Sequence, residues 1–142
     1  MNKIGFKLEK INSEQFAIIE SSYDECNDDI GLEAIVKFGT NAKESAIISI
    51  IKFQFEQKEK PFLIIEVSCE FSIEKGKWDE FSTDKDININ IPKEFLAHLA
   101  MITVGTTRGV LHSKTENTKF NEFILPTLNV AEMITEDGVF EK

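Results

Sequence analysis

The stretch Leu63-Ile64-Ile65-Glu66-Val67-Ser68-Cys69-Glu70-Phe71-Ser72-Ile73 decides the fold. Side chains on an extended strand alternate between its two faces. Leu63, Ile65, Val67, Cys69, Phe71 and Ile73 therefore share one face, and Glu66, Ser68, Glu70 and Ser72 share the other. Such alternation marks a half-buried antiparallel strand. Just upstream, Gln57-Lys58-Glu59-Lys60-Pro61 is short and polar, and before it Ser45 to Phe55 is again apolar. Ile47, Ile51, Phe53 and Phe55 lie on one face there and Ala46, Ile48 and Ile50 on the other, so the two runs predict a hairpin.

Working outward, Leu32, Ala34, Val36 and Phe38 form another alternating strand, closed by a turn at Gly39-Thr40-Asn41. Ile4, Phe6 and Leu8 begin the first strand, which runs through Ile11 toward Phe16 and Ile18 with a bulge near Asn12-Ser13. Residues 21–29 form a polar loop by composition. Residues 74–90 are polar and read as a connection, with a short extended piece at Ile87-Asn88-Ile89.

The period then changes. Pro92 suits a helix's first turn, where no N–H is needed. Phe95, Leu99 and Ile102 recur at helical spacing, so a long helix is predicted from Pro92 to about Thr115. Gly105 and Gly109 weaken it; they are either merely tolerated or allow a close helix–helix approach. Ser113 to Asn121 reads as a loop. Asn129 followed by Glu132 resembles a capping box. It opens a short final helix carrying Val130, Met133 and Ile134 and stopping near Gly138. The fold class is α+β: a four-stranded antiparallel sheet, then a long helix and a short C-terminal helix.

The 142 residues fit one domain, 1–142. With 42% hydrophobic and 29% charged residues, the composition is that of a soluble folded chain. No apolar run approaches the roughly 20 residues of a membrane span. The opening Met1-Asn2-Lys3-Ile4-Gly5-Phe6-Lys7 lacks the continuous apolar stretch of a secretory signal, so a cytoplasmic protein is expected. A net charge of −9 argues against nucleic acid and against anionic membrane surfaces as partners. Cys26 and Cys69 have no metal-like spacing and read as inert thiols.

Catalytic residues are scarce. Glu94 and His98 are four apart on the helix and can pair, but one such pair makes neither a metal site nor an acid–base machine. Asp24 to Asp29 fails as a calcium loop, because Asp29 stands where the sharp turn needs glycine. No phosphate-cradling loop or nucleophile elbow is present. No metal, no cofactor and no enzymatic activity are expected. The apolar residues are in surplus instead: 12 Phe, with Phe120, Phe123 and Phe140 in the last third. Phe123, Ile124, Leu125 and Leu128 lie in a loop. They either seal a core or subunit interface or form an apolar groove for a partner chain.

Four segments resemble SecB-type export chaperones, in consistent order along most of the chain. They are Phe6-Lys7-Leu8-Glu9-Lys10-Ile11, Phe62 to Val67 with Phe71-Ser72-Ile73, Thr107-Arg108-Gly109, and Leu125-Pro126-Thr127-Leu128-Asn129-Val130. The resemblance implies an ATP-independent chaperone that holds unfolded polypeptides or preproteins in apolar grooves. It also implies a homotetramer, a dimer of dimers with the long helices between. By element, it gives Phe123, Ile124, Leu125, Leu128, Met133 and Ile134 the polypeptide-contact role. Ile64 and Glu66 match positions through which such chaperones dock on the SecA motor. At the matching first-strand positions Gln15 and Ile19 replace acids, and Ser113 to Asn121 lengthens the inter-helix loop. A chaperone dedicated to one partner, such as an antitoxin, is therefore the alternative. A hot-dog-like α+β enzyme is the rival from another class.

Overall fold

The computed structural model describes residues 4–82 and 88–141. The readings placed on Met1 to Lys3 and on Ile87 lie outside the described residues. Four long strands form one antiparallel sheet: β1 (Phe6–Ile18), β2 (Gly31–Asn41), β3 (Ala46–Gln57) and β4 (Lys60–Ile73), in the order β1-β4-β3-β2. The long helix α2 (Lys93–Thr115) packs on β3 and β4, with Pro92 at its N-cap. The α+β order of sheet, long helix and short helix read from the sequence is the observed one.

The register explains the core. Phe53 lies opposite Ile65, Ile51 opposite Val67, and Ile47 opposite Phe71, all fully buried. From the helix come Leu96, Leu99, Ala100, Val104 and Leu111. The opposite sheet face carries Glu66, Glu70, Ser72 and Lys52. Glu66 faces Lys52 on β3 and Gln15 on β1. β1 has two register shifts. The expected bulge near Asn12-Ser13 falls at Ser13/Gln15, and a second lies at Leu8/Lys10. The carboxylates of Glu14 and Glu9 turn back to accept from the Ser68 (2.6 Å) and Ser72 (2.9 Å) hydroxyls.

The expected β3–β4 hairpin forms around Lys58 and Glu59, whose φ values are 51° and 64°. A two-residue turn with both residues left-handed suits Asn-Gly far better than Lys-Glu. Strain of about 1 kcal/mol per residue is stored there. The double substitution Lys58→Asn, Glu59→Gly is expected to stabilise the fold by about 1 kcal/mol after the entropic cost of glycine. Urea denaturation checks this, and an unchanged midpoint would contradict it.

Three readings need correction. Residues 74–90 are not only a connection. They contain α1 (Lys75–Phe81), which buries Trp78 and Phe81. The short extended piece expected there is present at Asn88-Ile89 and runs on as β5 (Asn88–Ile91), whose Ile89 and Ile91 are fully buried. Ser113 to Asn121 is not all loop. α2 continues to Thr115, where the Thr115 hydroxyl donates to Leu111 O (2.8 Å), and a 3-10 turn at Lys119–Glu122 buries Phe120. The final helix α3 spans only Val130–Met133, and Asn129 makes no side-chain cap bond. Gly138 does not stop a helix; it opens β6 (Gly138–Glu141), which pairs with β5. A Cβ there would lie 2.8 Å from Leu96 Cδ1 and 2.5 Å from the Phe140 ring, so any larger residue forces those two side chains to shift.

Candidate functional site

At one end of the sheet five aromatic rings gather. Phe62 lies 4.8 Å from Tyr23, 5.1 Å from Phe123, 6.2 Å from Phe120 and 6.4 Å from Phe55, centroid to centroid. Phe123 also meets Phe55 at 5.4 Å. Gln57 ties in the loop that carries Tyr23. Its amide nitrogen donates to Asp24 O and Asn27 O, and its oxygen accepts from Asp24 N (2.8 Å). Loss of solvation pushes the Tyr23 phenol above its ordinary pKa. The carboxylates of Glu122 and Glu25 add to this, and Lys119 opposes it. The phenol is therefore neutral and acts as a packing surface.

This cluster supports the segment between the 3-10 turn and α3. Phe123 is half-buried on the rings, Ile124 is 63% exposed and Leu125 is 2% exposed. Arg108 on α2 holds the next turn of chain: its Nε donates to Leu125 O (3.0 Å) and a terminal nitrogen donates to Pro126 O (3.1 Å). Between α2 and the segment lies a hollow of about 340 Å3. It is lined by Gly105, Arg108, Gly109, His112, Phe123 and Ile124. Leu128 and Ile134 are half-buried farther along, Met133 is 41% exposed, and none of the three lines the hollow. Leu125 is an anchor of the segment, its side chain turned inward.

The outward stripe of α2 is bare. Met101 is 57% exposed, and a Cβ built on Gly105 or Gly109 would meet nothing within 4 Å. The close helix approach considered for these glycines is thus not made among the described residues. The sequence signalled them only as helix weaknesses. It gave no sign that Arg108 and His112 border the same hollow. Ile64 and Glu66 sit on the opposite sheet face, with Ile64 only 7% exposed.

Chemistry at polar side chains is sparse. Among the described residues no three His, Cys, Asp or Glu come together as a metal ligand set. His98 lies edge-on to Phe6 (5.6 Å), and no bond joins it to Glu94 among the described residues. His112 Nε2 lies 3.8 Å from Glu116 on the exposed helix end. Both cysteines are free; burial pushes the Cys69 thiol up and keeps it protonated. Among the described residues no helix is long and apolar enough to cross a membrane. Among the described residues the arrangement offers apolar contact and hydrogen bonding, with no nucleophile–base pair.

No protein-family model matches the chain. No curated protein matches it in sequence. Among solved structures it is similar to the Mycobacterium tuberculosis Rv1957 SecB-like chaperone in complex with a ChAD peptide from the Rv1956 HigA1 antitoxin. The TM-score is 0.57 at 14% identity, over 87% of this chain and 90% of that one. The chain thus shares the fold of a SecB-like chaperone.

Proposed function

We propose that this chain is a chaperone that holds an extended apolar segment of one dedicated protein partner, such as an antitoxin. The contact surface is the hollow beside α2 together with residues 123–134. The observation that carries this reading is the apolar hollow at exposed Ile124, set on a fold shared with a chaperone that was solved with an antitoxin peptide. Binding is driven by apolar burial. Roughly 400 Å2 at about 25 cal/mol per Å2 gives on the order of 10 kcal/mol gross. Ordering the partner removes much of this. No nucleotide is consumed, and the protein acts in the cytoplasm.

The assembly is a homotetramer, a dimer of dimers joined through α2. The exposed side of the N-terminal half of α2 supports this. His98 and Met101 are exposed there and lie outside the lining of the hollow. A two-fold contact needs a surface that complements itself. Here Met101 can pack on its own copy across such an axis and leave the hollow open.

General holding of preproteins for export, with SecA docked at Ile64 and Glu66, is the second reading. Its support is thinner, because Ile64 is 7% exposed and Glu66 faces Gln15 rather than an acid on β1. Calorimetry against a panel of unfolded chains separates the two. A dedicated chaperone binds its partner's segment at least about 100-fold more tightly than unrelated unfolded chains, a gap of roughly 2.7 kcal/mol. Equal affinities across the panel would favour the export reading.

A further inference from the structure

Residues 124–128 form no helix or strand. Among the described residues, none of their main-chain N–H groups donates within the protein. Their only accepting carbonyls are those of Leu125 and Pro126, both taken by Arg108. Two other ties hold the segment, the Phe123 ring on Phe55 and Phe62, and the buried Leu125 side chain. Ile124 sits between these anchors and is turned out to solvent.

We infer that Arg108 is the positioning residue of the partner-binding surface: its fork on two successive carbonyls holds Ile124 beside the hollow before any partner arrives. This inference rests on the chaperone reading above. Arginine suits the task because its planar guanidinium presents several donors in a fixed geometry, whereas lysine is a mobile point charge. Bonds from a charged donor are also stronger than neutral ones. A surface already in its bound shape avoids the cost of ordering on binding. Without the fork the segment samples many conformations, and only a fraction of molecules is competent. Apparent affinity then falls by that fraction.

The test compares wild type, Arg108→Gln and Arg108→Lys in stopped-flow binding of a partner segment held unfolded, with backbone NMR order parameters on the free proteins. Arg108→Gln is expected to lower the association rate constant roughly tenfold and leave the dissociation rate constant unchanged, as loss of preorganisation requires. Arg108→Lys should recover only part of the loss. In the free proteins, order parameters should fall in 124–128 but not in β3 or β4. A role in direct partner contact would instead raise the dissociation rate, and general loosening would lower order in the sheet; either result overturns the inference. Unchanged order parameters in 124–128 overturn it even if no tested chain binds the wild type, a result that would separately count against the chaperone reading.

Discussion

Ile124→Asp is expected to weaken partner binding about 100-fold while leaving the fold intact. Ile124 is 63% exposed, so its replacement removes little of the core, and surface changes of this kind usually stay within about 0.5 kcal/mol of neutral. Partner binding would bury the new carboxylate beside Phe123 and the bare glycine face of α2. Arg108 also lines the hollow, but its guanidinium is already bonded to Leu125 O and Pro126 O, so burying a carboxylate there still costs a few kcal/mol, on the order of the roughly 2.7 kcal/mol that a 100-fold loss requires. Leu125 would be a poor probe for the same purpose. At 2% exposure, its truncation would unfasten the segment and confuse stability with binding. Binding isotherms and a thermal melt on the same variant read both quantities. Full affinity in Ile124→Asp would remove the hollow from the binding surface.

Phe62→Ala should be the most damaging single change to stability, at about 4 kcal/mol. Phe62 is fully buried and touches four other aromatic rings. Truncating a buried phenylalanine costs about 3–5 kcal/mol, and the lost ring pairs push toward the upper end. Proteins of this size are stable by only about 5–15 kcal/mol, so the loss is a large share. Phe123 rests on Phe62, so a molecule still folded should also bind its partner less well. Urea unfolding measures the first effect. A loss below about 1.5 kcal/mol would show that the cluster repacks, and that the rings do not fix the segment.

The sheet was legible in the sequence because alternation and burial coincide in it. From Leu63 to Ile73 every odd residue is buried, and the register with β3 follows from the short link at Lys58-Glu59. α2 was legible from its period and from Pro92. α1 was missed because its seven residues contain Gly76 and two lysines, and only Trp78 and Phe81 mark a buried side. The pairing of β5 with β6 joins residues 88–91 to 138–141, a contact that no local pattern encodes. The same holds for the site. Phe123, Ile124, Leu125 and Leu128 stand out as apolar in a loop, but nothing local says that Leu125 turns in and Ile124 turns out. The aromatic cluster and Arg108 decide that, and both act from distant parts of the chain.

On the proposed function, this surface recognises extended chain and not folded protein. Calorimetric titration of the protein with one partner chain held unfolded, and with the same chain native, tests it most directly, and Trp78 gives an optical check. Heat of binding is expected from the unfolded form only, and is lost in Ile124→Asp. Binding of neither form, or equal binding of both, would contradict it.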